Sequence, residues 1–149
     1  MALDYQPVMD CAEPLKLSRF WAAALGYEAE DNSALVEYAL EQGLATEDDY
    51  TVVDGRKAWA ALAAIRHPDD PVQEFTGAGL GRRMLFQQVP EAKAVKNRMH
   101  LDLRSGPDGR GAEVARLEAL GATAAAVVEE PGASHVCMRD PEDNEFDVQ

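Results

Sequence analysis

Eight consecutive residues, Asn97-Arg98-Met99-His100-Leu101-Asp102-Leu103-Arg104, alternate polar and apolar side chains. A period of two is that of a strand with one wet face and one buried face. On this reading Met99, Leu101 and Leu103 point into a core. Arg98, His100, Asp102 and Arg104 line the opposite face, which is too rich in ionisable groups for an idle strand. The face then belongs to a concave site, with His100 as its foremost residue. An exposed sheet face carrying a salt-bridge ladder would show the same alternation, and this stretch alone does not separate the two.

The elements that must position this strand read as follows. Gln6–Cys11 is a first strand, with Pro7 near its start or on an edge. Glu13-Pro14 opens a helix, because proline suits a first turn. Leu15, Leu17, Phe20, Trp21, Ala24 and Leu25 form its apolar stripe, and Gly26 stops it. A short strand is expected over Tyr27–Glu30, whereas Ala34–Gln42 fits neither period. Thr46–Gly55 is acidic and turn-rich, with Asp54-Gly55 marking a tight turn. The run Lys57–His67 is expected to form one buried strand, placing Trp59, Ala61, Ala63 and Ile65 on one face. A glycine-rich loop over Asp69–Gly81 leads to a strand over Arg82–Val89. After the His100 strand come a Ser105–Gly109 turn and a helix over Ala112–Leu120, with Val114, Leu117 and Leu120 on one side and Gly121 as its stop. Strands are expected over Ala122–Glu129, Ser134–Arg139 and Glu145–Val148, the last two joined by a turn at Asp140–Asn144.

Each half thus reads as strand, helix and three strands, and the halves can be laid on one another. Ala23-Ala24-Leu25-Gly26 matches Glu118-Ala119-Leu120-Gly121. Counting back from each glycine brings Gln6 against His100, if one residue is inserted in the second Gly-Pro turn. Phe86-Gln87 compares with Phe146-Asp147, each aromatic facing the core. The repeat therefore selects Gln6, Gln87, His100 and Asp147 as one set of positions.

The 149 residues suit one domain, with modules at about 1–90 and 98–149 and a linker at 91–97. A net charge of -13 repels phosphate backbones and anionic membrane surfaces, which argues against nucleic-acid or membrane partners. The longest apolar run, Trp59–Ile65, is too short to cross a bilayer. Met1–Tyr5 lacks the basic and apolar regions of a secretion signal. Cys11 and Cys137 accordingly read as reduced core residues of a cytoplasmic protein.

Arg19-Phe20-Trp21-Ala22-Ala23-Ala24-Leu25-Gly26 resembles the opening helix of glyoxalase-like domains in the vicinal oxygen chelate superfamily. Phe86–Glu91 followed by Val95–Asp102 is similar to the linker and second-module start of such proteins. Asp140-Pro141-Glu142-Asp143-Asn144 resembles their closing Asp-Pro-x-Gly-Asn turn, with Asp143 where glycine is usual and a positive φ is required. The resemblance implies an α+β fold of two tandem βαβββ modules, whose curved antiparallel sheets form a cup. It also implies a metal set of one side chain from the first and last strand of each module. Those positions are Gln6, Gln87, His100 and Asp147, the set the repeat selects.

Where glyoxalases of this superfamily carry Glu, this chain has the amide of Gln87, which neither adds charge to a cation site nor accepts a proton. Asp147 is then the catalytic carboxylate, glyoxalase I activity is disfavoured, and the cofactor is one divalent metal ion or none. Trp59, Asp102, Arg104 and His135 are the further candidates for binding a substrate. Each has a plainer reading: core packing for Trp59, an Asp102–Arg104 ion pair, and a surface position for His135. His67 reads as solvated, and Met84, Met99 and Met138 as core.

Two functions follow from the resemblance. One is metal-assisted lyase, isomerase or dioxygenase chemistry on a small molecule. The other is metal-free ligand binding of the bleomycin-resistance type. A homodimer is a further expectation.

Overall fold

A computed structural model describes residues 1–106 and 108–149; Pro107, within the expected Ser105–Gly109 turn, lies outside the described residues. The chain divides into two compact units, Met1–Glu91 and Ala92–Gln149.

In the first unit, Pro14 begins α1 (Pro14–Leu25), and the helix ends where Gly26 turns left-handed at φ +68°. Leu17, Phe20, Trp21 and Ala24 are buried on its inner face, Trp21 at 1% exposure. That face packs on a four-stranded mixed sheet of β1 (Val8–Cys11), β2 (Glu28–Ala29), β5 (Leu62–Arg66) and β6 (Arg83–Gln88). The spatial order is β1-β6-β5-β2, with β1 parallel to β6 and the other pairs antiparallel. Between β2 and β5 the chain inserts α2 (Ser33–Glu41), a 3₁₀ turn (Glu47–Asp49) and the hairpin β3 (Tyr50–Val53)–β4 (Arg56–Trp59). The period of α2 is hidden in the sequence because only Val36 and Ala39 are fully buried, while Tyr38 turns outward, edge-on to Phe75.

The expected single strand over Lys57–His67 is two strands. Asp54 and Gly55 both take positive φ, +50° and +79°, which closes a tight hairpin and pairs Trp59 with Tyr50. The Ala60 N–H then donates to Asp49 O, and pairing restarts at Leu62 opposite Gln87. Trp59 and Ile65 therefore lie in different sheets and share no face.

In the second unit the sheet comprises β7 (Asp102–Leu103), β8 (Thr123–Glu130), β9 (Ala133–Arg139) and β10 (Glu145–Val148), in the order β7-β10-β9-β8. Here too the opening strand is parallel to the closing strand and the remaining pairs are antiparallel. The helix α3 (Arg110–Leu120) packs on β8 and β10 and ends at Gly121, again left-handed. Only Leu117 of its expected stripe is fully buried; Leu120 is exposed. The core is closed by Val136, Met138, Phe146 and Val148.

Each unit is a βαβββ module of the same topology: β1, α1, β2, β5 and β6 correspond to β7, α3, β8, β9 and β10. The fold is α+β, and its sheets are mixed rather than purely antiparallel, because each opening strand runs parallel to its closing strand. Among the described residues no helix is long and apolar enough to cross a membrane.

Candidate functional site

The second unit carries the densest chemistry. Along β10, Phe146 and Val148 are buried while Glu145 and Asp147 face the other way. The ladder sets Asp147 directly opposite Cys137 on β9 and Asp102 on β7. Along β9, Val136 and Met138 fill the core, so His135 and Cys137 share the face of Asp147. Asp147 Oδ2 lies 3.4 Å from His100 Nε2 and 3.8 Å from His135 Nε2. Asp102 Oδ1 lies 3.3 Å from His100 Nε2, and its Oδ2 accepts from Gln149 Nε2 at 2.9 Å. No ion pair joins Asp102 to Arg104 among the described residues.

His100 does not stand on an eight-residue strand, because regular pairing covers only Asp102 and Leu103. Its ladder bonds include Asp147 N–H to Leu101 O, Gln149 N–H to Leu103 O and Ser105 N–H to Gln149 O. Since β10 begins only at Glu145, directly after a turn, it offers Arg98 and Met99 no backbone partner. Asn97 is held there by side chains: its N–H donates to Glu145 Oε2 at 2.9 Å and its Nδ2 to Asn144 Oδ1 at 3.0 Å. Met99 consequently lies outside the core, 88% exposed, whereas Met84 and Met138 are buried as expected.

The turn before β10 is over-determined. Buried Asp140 accepts from the N–H groups of Glu142 and Asn144 and from Asn144 Nδ2. Asp143 adopts φ +66°, the left-handed conformation expected at a position where glycine is usual.

A pocket of about 630 Å³ opens over this face, lined by Lys96, His100, His135, Cys137, Glu145 and Asp147 among others. Burial pushes the Glu145 carboxyl up, but the N–H groups of Asn97 and of Glu145 itself, with the Lys93 ammonium, outweigh it and hold the group at about 2. Burial, followed by a hydrogen bond to Asp147 and that carboxylate's charge, pushes the Cys137 thiol up. The strand alternation of His135 and Cys137 around Val136 already carried the signal that this cysteine is no core residue.

The donors fit a divalent cation. Two ligand atoms each about 2.1 Å from one ion stand about 3.0–3.4 Å apart at tetrahedral or octahedral angles. The His100-to-Asp147 separation of 3.4 Å falls in that range, and His135 stands slightly farther from the same oxygen, at 3.8 Å.

The other sequence candidates lie in the first unit. Gln87 faces away from the core, opposite in phase to buried Phe86 and Met84, while Gln88 donates to Ala12 O. Gln6 precedes β1, and its Oε1 accepts from Arg83 Nη1. The register corrects the alignment of the two halves. Gln87 pairs with Asp10, as Asp147 pairs with Asp102, so Asp10 matches Asp102 and Val8 matches His100. Three residues, not one, are therefore inserted between strand and helix in the second half, and Gln6 lies two positions before the counterpart of His100. Trp59 lines a separate pocket of about 370 Å³, beside Leu15 and Leu62. His67 is not simply solvated: its ring stands edge-on to Tyr27, and its Nδ1 accepts from the Asp69 N–H.

A duplicated βαβββ topology is that of the vicinal oxygen chelate folds. The chain belongs to the glyoxalase-like domain family, whose model matches residues 6–149. Solved structures share the fold at low identity. One is a glyoxalase/bleomycin resistance protein/dioxygenase family enzyme from Burkholderia phytofirmans (12% identity, TM-score 0.58, covering 96% of this chain and 94% of that one). A second is a variant of the fosfomycin resistance protein FosX from Listeria monocytogenes, complexed with Mn(II) and 1S,2S-dihydroxypropylphosphonic acid (10%, 0.59, 99% and 90%). A third is lactoylglutathione lyase from Agrobacterium tumefaciens (11%, 0.54, 99% and 92%). No curated protein matches the chain.

Proposed function

We propose that the protein is a metal-assisted enzyme acting on a small molecule, of lyase, isomerase or dioxygenase type, with His100 and Asp147 holding a divalent cation. The observation that carries this reading is the convergence of His100 Nε2 and His135 Nε2 on one oxygen of Asp147, inside a pocket of substrate size. A bound cation would supply Lewis-acid polarisation of a substrate oxygen. The chain's own groups do the rest. Asp102, held by Gln149, sets a second carboxylate beside the same His100 nitrogen, Nε2. Asp147 is the proton-moving carboxylate, since a carboxylate can ligate through one oxygen and accept a proton on the other. The reading requires residues of the second unit only. Gln87 cannot accept a proton, so glyoxalase I chemistry is not part of the proposal.

The first unit favours a second reading. Its positions equivalent to His100 and Asp147 are Val8 and Gln87, which supply neither an imidazole nor an anion. A metal-free binding protein of the bleomycin-resistance type needs neither, and a chain of net charge -13 would suit a cationic ligand.

Metal content of the purified protein, followed by Ni²⁺, Zn²⁺, Mn²⁺ and Fe²⁺ titrations of wild type and His100→Ala, separates the readings. One ion per chain, lost in His100→Ala, supports the enzyme. No uptake at micromolar metal by wild type leaves the binding protein.

A further inference from the structure

Resting on the metal reading above, we propose that Cys137 and His135 are ligands in the same site and make it selective for a borderline-soft cation of the zinc type. His135 and Cys137 stand two residues apart on one strand, with Val136 and Met138 between and beyond them turned into the core. Asp147 is the cross-strand partner of Cys137. One ligand atom from each of His135, Cys137 and Asp147 falls within 4.8 Å of the other two, and the same holds for His100, Asp102 and Asp147. Asp147 belongs to both groups, so it stands between an imidazole–thiol pair on one side and the His100 imidazole on the other, on the wall of the pocket.

Chemistry decides which ion such a set prefers. Mg²⁺, Ca²⁺ and Mn²⁺ favour oxygen ligands, whereas zinc and its spectroscopic substitute cobalt take thiolate, imidazole and carboxylate in a tetrahedral shell. The Cys137 thiol would release its proton to solvent as the ion binds, leaving Sγ to donate a lone pair. A cysteine placed for packing would point with Val136 and Met138. This one points with the histidine.

The test uses the full chain with Co²⁺ as the probe. The expected result is a near-ultraviolet sulfur-to-cobalt charge-transfer band in wild type and in Cys11→Ser, absent in both Cys137→Ser and Cys137→Ala. Zn²⁺ affinity should fall by at least about 10-fold in Cys137→Ser and in His135→Ala, and Cys137→Ser should weaken Zn²⁺ binding more than Mn²⁺ binding. Metal uptake that depends on His100 but shows no such band, or a band that survives loss of Cys137, overturns this inference and leaves the metal reading intact. Absence of any metal binding by wild type overturns both.

Discussion

Asn97 Nδ2 donates to Asn144 Oδ1 at 3.0 Å, tying the segment that leads to His100 to the turn that starts β10. Asn144 in turn donates through its own Nδ2 to Asp140, which is buried at the base of that turn. One amide pair therefore links the placement of the histidine to the placement of Asp147, three residues beyond Asn144. It stands in for the backbone pairing that Arg98 and Met99 lack.

Replacing Asn97 by alanine should cost about 1 kcal/mol of stability, since one half-buried hydrogen bond is lost while the Asn97 N–H still reaches Glu145. Metal affinity should fall further than that suggests, by about 10-fold, because an orienting contact behind a ligand is removed. Asn144→Ala should cost more, about 1–3 kcal/mol, since it takes two donors from the buried Asp140 carboxylate. Thermal melts paired with metal titrations check both. Equal losses of stability in the two variants would show that the turn does not depend on Asn144.

Acid should destabilise the fold, and the sign follows from three carboxyls. The Arg82 guanidinium and N–H hold Asp70 far below its ordinary value of 3.8. Hydrogen bonds from Ser33, and then the Arg56 guanidinium, lower Asp31, and Arg116 lowers Glu113. A carboxyl depressed on folding contributes stability that is fully present above its unfolded value and is lost as pH falls towards its folded value. The melting temperature should therefore hold from neutrality to about pH 5 and decline below about pH 4. Asp70→Asn should lower the neutral-pH melting temperature and flatten the acid limb. An unchanged limb in that variant would remove the Asp70–Arg82 pair from the cause.

Much of this architecture is legible in the sequence because local and tertiary demands agree there. Pro14 and Gly26 bracket α1 by their own backbone preferences, and Glu145–Val148 alternates because one of its faces is buried. Reading fails where tertiary context decides. The alanine-rich run after Arg56 carries no mark of the break at Ala60, which arises from a hydrogen bond to Asp49. Met99 keeps the strand alternation, yet the neighbouring strand is too short to pair with it. At the site, His100, His135, Asp102 and Asp147 were all visible as candidates. Cys137 was not, because a cysteine among apolar neighbours reads as core until its phase is counted from Met138. The correspondence of Gln6 with His100 failed because a count back from the helix stop cannot tell where a loop is longer.

Gly77 offers a check on the first unit that is independent of chemistry. Its φ is +72°, and an added Cβ would stand 2.0 Å from the carbonyl oxygen of Asp31. A backbone atom cannot swing aside as a side chain would. The loop is further fastened by Asn32 Nδ2 to Thr76 O and by the Gly79 N–H to Glu30. Gly77→Ala should therefore cost at least about 2 kcal/mol, combining left-handed strain with displacement of the loop. Gly43→Ala, with a similar φ of +68° but open space around the added atom, isolates the strain alone and should cost less. Denaturant melts of the two variants give the difference.

The register predicts how a metal pair could be built into the first unit. Val8 precedes Asp10 as His100 precedes Asp102, and Gln87 holds the ladder position of Asp147. In the second unit this arrangement brings imidazole and carboxylate to 3.4 Å. The double variant Val8→His with Gln87→Glu should reproduce that pair, and Val8 is 50% exposed, so a larger polar side chain meets little resistance. Made in a His100→Ala background, it should raise Ni²⁺ uptake above that of His100→Ala alone. Gln6→His with Gln87→Glu in the same background should not, because Gln6 lies before the strand and is engaged by Arg83. Calorimetric titration of the two variants decides between the count along the sequence and the register of the sheet. Recovery through Gln6→His alone would mean that the three-residue insertion has been assigned to the wrong loop.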